Sequence, residues 1–450
     1  MQRLPLIVSL VLTAAAASAQ PQQQLLDRST PLRLSMKQAV DIALAPEGNT
    51  RVQLAGEAGK QAQSRSAQAR AALLPGLDSY VTEQNQTRNL AAFGIQIQIP
   101  IPGFYFPTVV GPYNTFDARV QATQTVFDFA AIRRFQASRA GIRAADAETD
   151  SARDQISGQV ASLYMSALAA QAHVEAAQAN VDLSQATAKL ADNRKNAGTG
   201  TGIEVTRALV EIANARQLLL VAQNNERQAR LQLLRAIGVR LDTQVERTEK
   251  LTYTPVEDVP LPKALETALT SRADWKAQKT REDNARLNYG ATKFERLPSV
   301  TAFGDYGTIG TGMNSASPTR TYGVSMRVPI FDGGRRDARR TESMSQLRQE
   351  QIRSADLREQ VELDIRLAQD SLRSAEDELR AADEGLQQAE RETAQAQRRY
   401  DAGVANSLEP TDAQTRLARA RDNRISALLA YNVARINLGQ AMGTIRRLIQ

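Results

Sequence analysis

Residues 156–188 read ISGQVASLYMSALAAQAHVEAAQANVDLSQATA, and residues 361–393 read VELDIRLAQDSLRSAEDELRAADEGLQQAERET. In the first, an apolar or small residue recurs at alternating steps of four and three: Ile156, Val160, Leu163, Ala167, Ala170, Val174, Ala177, Val181, Ser184, Ala188. In the second the rungs are Val361, Ile365, Ala368, Leu372, Ala375, Leu379, Ala382, Leu386, Ala389 and Thr393. Such spacing lays one narrow stripe along a helix, the seam of a coiled coil. Every rung of the second ladder is its counterpart plus 205. Two unrelated coiled coils would not keep one offset through so many steps, so the chain is a tandem duplication.

The duplication extends in both directions. No proline falls between Pro112 and Pro255, or between Pro329 and Pro410, so neither ladder is interrupted by a helix breaker. Asn193-Arg-Lys-Asn-Ala-Gly198 matches Arg398-Arg-Tyr-Asp-Ala-Gly403, and the halves end alike at Ile237-Gly238 and Met442-Gly443. Each half therefore reads as a very long helix, a tight glycine-containing turn and a helix returning antiparallel. The Ala-rich seam lets helices approach closely, which suits a wall of packed helices better than a solid globule.

Ahead of each long helix the period changes to two. Phe116, Ala118, Val120, Ala122 and Val126 alternate with Thr115, Asp117, Arg119, Gln121, Thr123 and Thr125. Tyr322, Val324, Met326, Val328 and Ile330 alternate with Thr321, Gly323, Ser325 and Arg327. Each is a strand with one apolar and one polar face; the expected partners are at about 77–86 and 299–309. More than half of the aromatic residues fall in or beside these hairpins, among them Tyr80, Phe104, Tyr105, Phe106, Phe303 and Tyr306, as the girdles of a membrane barrel would require. Four strands cannot close such a barrel, since about eight is the smallest number known. An open edge in lipid leaves backbone groups unsatisfied. If these hairpins lie in a membrane, several chains share one barrel.

Composition narrows the function. With 450 residues, 42% hydrophobic and 23% charged, the chain is neither disordered nor one long membrane segment. There is no Cys and one His, His173, which removes thiol catalysis, disulfides and zinc clusters. A net charge of +7 is too mild to imply nucleic acid. Gly198-Thr-Gly-Thr-Gly202 lacks the preceding strand and the Lys-Ser/Thr ending of a phosphate loop. His173 has no second ligand and reads as a surface or groove residue; Trp275 and Lys276 offer no mechanism. No catalytic constellation is present, and an enzyme is not expected. Residues 1–19 read as a secretory signal: Arg3, an apolar run from Leu4 to Ala17, and Ala17-Ser18-Ala19 before the cleavage point. No Cys follows, so a lipoprotein is not expected.

The motifs at the joints repeat as well. Arg70-Ala-Ala-Leu-Leu-Pro75 and Glu295-Arg-Leu-Pro298 lead from helix to strand, and Val126-Phe-Asp128 and Ile330-Phe-Asp-Gly-Gly334 lead from strand to helix. Together with the tip sequences and the stretch from Leu34 to Leu44, they resemble the TolC-like outer-membrane efflux duct family over nearly the whole chain beyond the signal. That resemblance implies a mainly α fold with a small β part. Long antiparallel helical hairpins would form an α-barrel, and four strands per chain would contribute to a trimeric transmembrane β-barrel. The expected layout is a first repeat at 20–240 (hairpin about 77–127, long helix about 128–194, return helix about 203–238) and a linker at 241–260. The second repeat follows at 261–450 (helix about 261–295, hairpin about 299–331, long helix about 333–401, return helix about 408–443).

The resemblance also implies partners and a gate. The partners are two further copies of the chain, outer-membrane lipid, a periplasmic adaptor and, through it, an inner-membrane transporter of RND, ABC or MFS type; no cofactor is implied. Tyr400 falls on the family's gate tyrosine, and Glu409 and Asp412 on its constriction carboxylates, with Glu204 the first-repeat counterpart of Glu409. Ala405 stands where the best-known members carry an arginine of the gate network. Ala197, Gly198 and Thr199, with Ala402, Gly403 and Val404, match the tip loops that meet the adaptor. Threefold symmetry would turn each carboxylate into an acidic ring, although helix starts also favour carboxylates through the dipole. The alternative is a periplasmic coiled-coil adaptor or scaffold that conducts nothing.

Overall fold

The computed structural model describes residues 32–94, 103 and 107–449. The signal reading at 1–19 and the loop aromatics Phe104, Tyr105 and Phe106 lie outside the described residues. The first half runs β1 (Leu32–Leu34), α1 (Met36–Leu44), α2 (Thr50–Ala71), β2 (Gly76–Asn89), β3 (Val109–Phe127), α3 (Phe129–Asn196) and α4 (Gly202–Ile237). The connection holds β4 (Val245–Arg247), which pairs with β1. The second half runs α5 (Leu261–Ser271), α6 (Ala273–Phe294), β5 (Ser299–Gly310), β6 (Ser317–Arg327), α7 (Arg335–Asp401), α8 (Leu408–Ala441) and α9 (Ile445–Ile449).

The two ladders lie on α3 and α7, of 68 and 67 residues, each about 100 Å long at 1.5 Å per residue. Asp128 starts α3 by accepting a hydrogen bond from the Ala131 N–H at 3.0 Å. Ile156, Val160, Ala167, Val181, Ser184 and Ala188 are buried on α3, as are Val361, Ile365, Ala368, Ala375, Leu379 and Ala389 on α7. The rungs are thus the contact stripe, and their small side chains keep the helices close. Both long helices stop at a glycine with φ of +73°, Gly198 and Gly403, a conformation that costs other residues but not glycine.

Near the sheet the helices lie side by side in the order α2–α3–α6–α7, and at the far end in the order α4–α3–α8–α7. The main sheet repeats the first order: β2–β3–β5–β6, antiparallel throughout. The chain is therefore one layer, four elements wide, with α3 in an inner position at both ends. Among the described residues the outer strands β2 and β6 each have one unpaired edge.

Two boundaries differ from the sequence pattern. The helix expected at about 261–295 is broken at Arg272, whose ψ of 125° is extended. There the side chain leaves the helix line to bind Asp274 at 2.7 Å, Asp364 at 2.9 Å and the Ala441 carbonyl at 3.3 Å. It ties the start of α6 to the end of α8 and to α7. Burial opposes a charge on Asp274, yet the Arg272 guanidinium holds that carboxyl below the usual value. The other difference is at β6, which stops at Arg327 and leaves Val328 and Ile330 outside the strand. Pro329 has no N–H to give a ladder.

Candidate functional site

The register of the main sheet sorts its side chains into two faces, because directly paired residues point the same way. Leu77, Val81, Val120, Tyr306, Tyr322, Val324 and Met326 share one face and all are exposed, Tyr322 to 82%. Ser79 and, toward the strand ends, Glu83 and Arg320 share this face, but so many exposed apolar side chains on one face are rare on a water-soluble monomer. The opposite face carries Asp117, Arg119, Gln121 and Asp305, and is the more sheltered one. Arg119 grips both carboxylate oxygens of Asp117 at 2.7 Å and reaches Asp305 at 3.2 Å. This ion cluster joins the first hairpin to the second across the β3–β5 pairing. Gly307 lies opposite Arg119, and a Cβ there would sit 2.2 Å from the Cβ of Arg119.

At the other end of the molecule the two helical hairpins turn. Ala197, Gly198, Thr199, Ala402, Gly403 and Val404 are all exposed at the turns. Ile203, Val404 and Leu408 add exposed apolar side chains there. Back from the turns, the two hairpins are held together along α3 and α8 within one protomer. Buried Gln414 of α8 donates to the Thr187 hydroxyl of α3 at 2.7 Å, Arg421 donates to Asn180 at 3.1 Å, and His173 lies 3.1 Å from Asp422.

The carboxylates singled out from the sequence occupy distinct settings. Glu409 pairs with Arg399 at 2.9 Å, joining the start of α8 to the end of α7. Asp412 is exposed, in the field of Arg416, which pairs with Glu392 at 2.8 Å. Glu204 turns back to accept from the Thr201 N–H at 3.5 Å, as a residue of a helix first turn does. Among the described residues Glu204 is bonded to neither Glu409 nor Asp412.

Tyr400 lies inside the protomer, with only 1% of its surface exposed. The Arg194 guanidinium stacks 4.2 Å from the ring centroid and donates to the Tyr400 carbonyl at 2.6 Å. Among the described residues the Tyr400 hydroxyl has no hydrogen-bond partner. Arg194 thus caps the C-terminus of α7 from the neighbouring hairpin, where a cation complements the helix dipole. The sequence pattern does not single it out. The one signal is that Arg194 and Arg399 occupy equivalent repeat positions in the last turns of α3 and α7.

Residues 43–239 and 264–444 match the model of the family described as outer membrane efflux protein. No curated protein matches the sequence. Solved structures with the same fold include the CmeC outer membrane channel of Campylobacter jejuni, with a TM-score of 0.76 at 17% identity over 91% of this chain and 86% of that one. The outer membrane protein VceC of Vibrio cholerae gives a TM-score of 0.74 at 20% identity over 91% and 96%. The MtrE outer membrane channel of Neisseria gonorrhoeae, in its open state, gives 0.74 at 19% over 92% and 90%.

Proposed function

This chain belongs to the outer membrane efflux protein family, and we propose that it forms the homotrimeric exit duct of a tripartite efflux or type I secretion system. It is an outer-membrane transport channel and not an enzyme. The observation that carries the trimeric reading is the four-stranded sheet, with one exposed, largely apolar face and, among the described residues, an unpaired edge on each side. In lipid those edges need partners, and the free edge of β6 in one copy can supply β2 of the next. The helical layer supports the same arrangement. Its outer helices carry exposed apolar side chains: Val210, Leu218 and Val221 on α4 toward the tip, and Ile352, Leu363 and Leu367 on the half of α7 nearer the sheet.

Three helical layers then enclose a tunnel below a shared barrel, and substrates cross without chemistry. The adaptor docks on the tip turns, where Ile203, Val404 and Leu408 offer apolar contact, and links the duct to an inner-membrane transporter. Glu409 and Asp412 line the constriction, with Glu204 at its mouth. Tyr400 and Arg194 hold the two hairpins of a protomer in register, so a guanidinium reaches Tyr400 from the other hairpin although position 405 is alanine. A non-conducting scaffold would have no use for the exposed apolar sheet.

The full chain, expressed in a Gram-negative host, is expected in the outer-membrane fraction as an SDS-resistant oligomer that collapses to monomer on boiling. In planar bilayers it is expected to give discrete conductance steps. Recovery as a soluble periplasmic monomer without conductance contradicts the duct.

A further inference from the structure

We propose that the helix–sheet junction is a binding site for anionic phospholipid headgroups, those of the leaflet on the helix side of the barrel. The inference rests on the membrane reading of the sheet given above. Every helix entering or leaving the main sheet does so at this level. Just at the junction Leu74, Phe127, Leu297, Ile330 and Phe331 are exposed, the last two to 94% and 85%. Immediately on the helix side, residues 128–134, 293–296 and 332–340 hold eight basic residues against four acidic ones.

Part of this placement runs against local helix chemistry. Helix N-termini favour carboxylates and disfavour cations. Yet α7 opens with Arg335 and Arg336 ahead of its first-turn Asp337, and α3, capped by Asp128, holds Arg133 and Arg134 in its second turn. Arg335 and Arg336 at the very start of α7 are therefore cations that helix formation does not call for. The acids present act as anchors. Glu295, its side chain 10% exposed, holds Arg134 and Arg339, and Asp332 holds Arg336 at 3.3 Å. The basic ends lie outermost: the Arg335 side chain is 71% exposed, with Asp332 4.0 Å away.

Aromatic rings steady others. Arg133 stacks over Phe294 at 5.7 Å and Lys293 over Tyr289 at 4.5 Å, with Arg340 close to the same tyrosine. Cations spread over α3, α6 and α7, directly beneath an apolar rim, match lipid phosphates beneath acyl chains. Guanidinium groups suit phosphate because their donors pair with it bidentately. Basic residues near an anionic surface add attraction residue by residue.

The test compares the purified full-length protein with a variant carrying Arg133→Gln, Lys293→Gln, Arg335→Gln and Arg340→Gln. These four leave the anchors of Glu295 and Asp332 in place. Lipid binding is read by native mass spectrometry with phosphatidylglycerol, phosphatidylethanolamine or inorganic phosphate as probe. Insertion is read with vesicles of either lipid, and oligomer state by heat modifiability. The wild type is expected to bind phosphatidylglycerol at least about tenfold more tightly than phosphatidylethanolamine, a preference lost in high salt. The variant is expected to keep its heat-modifiable oligomer and lose the preference.

Equal binding of the two lipids by the wild type overturns the inference while leaving the duct intact. Displacement of phosphatidylglycerol by millimolar inorganic phosphate also overturns it, in favour of a site for the free ion. Loss of the oligomer in the variant, with the wild-type preference absent, assigns the arginines to folding alone and overturns it too. A protein that enters neither kind of vesicle overturns the membrane reading and this inference together.

Discussion

Val120→Arg is expected to abolish the outer-membrane oligomer, while Gln121→Arg, one residue along the same strand, is expected to assemble. Val120 sits mid-strand in β3 on the exposed apolar face, and Gln121 faces the other way, paired with Asp78 and Asp305. An arginine on the lipid side of a barrel costs about 2–4 kcal/mol near the bilayer midplane. Three copies in one barrel multiply that cost to a size comparable with the whole stability of a typical domain, roughly 5–15 kcal/mol. On the opposite face the same charge meets two carboxylates and water. The readout is the amount of SDS-resistant, heat-dissociable oligomer recovered from outer membranes. Equal recovery of both variants contradicts the assignment of the two sheet faces.

The second large effect is expected at the tip. Removing both candidate constriction carboxylates, Glu409→Ala with Asp412→Ala, is expected to raise single-channel conductance and to weaken or reverse cation preference. Glu409 is half-exposed and neutralises Arg399 at 2.9 Å. Deleting it removes a negative charge and also leaves the Arg399 cation without its partner. One unit charge at 4 Å is worth about 1 kcal/mol even in water, a factor of roughly five in local ion concentration, and three copies act together. Reversal potentials in a salt gradient should therefore move toward the anion side. Unchanged conductance and selectivity contradict the site assignment and leave the duct standing.

The large-scale order of the chain is legible because it is written in short periods. The stripe from Ile156 to Ala188 and its copy from Val361 to Thr393 need only helix geometry to be read, and most rungs are buried where the pattern puts them. Alternation along 115–126 is likewise a local property of an extended chain, and the apolar positions emerge on one face. The break at Arg272 is not legible, since its cause is a set of acceptors at Asp364 and Ala441, far away in sequence. Nor is the pairing of β3 with β5, which joins the two repeats through Asp117, Arg119 and Asp305.

The tip shows the same division. Gly198 and Gly403 announce their turns, because a positive φ selects for glycine. Arg194 looks like an ordinary last-turn cation until the folded hairpins bring Tyr400 beneath it. A position read as a gate tyrosine is thereby found packed inside its own protomer, where only the three-dimensional neighbour explains its burial.

The central claim is that the free edges of β2 and β6 find each other in neighbouring copies. The chain has no cysteine of its own, so introduced pairs report without background. Cysteine at Thr82 on β2 can be combined in turn with cysteine at Thr319, Thr321 or Ser325 on β6, all on the sheltered face. Oxidised in outer membranes, at least one pairing is expected to give a covalent trimer on denaturing gels, and each single cysteine only monomer. Monomer from every pairing contradicts the shared barrel.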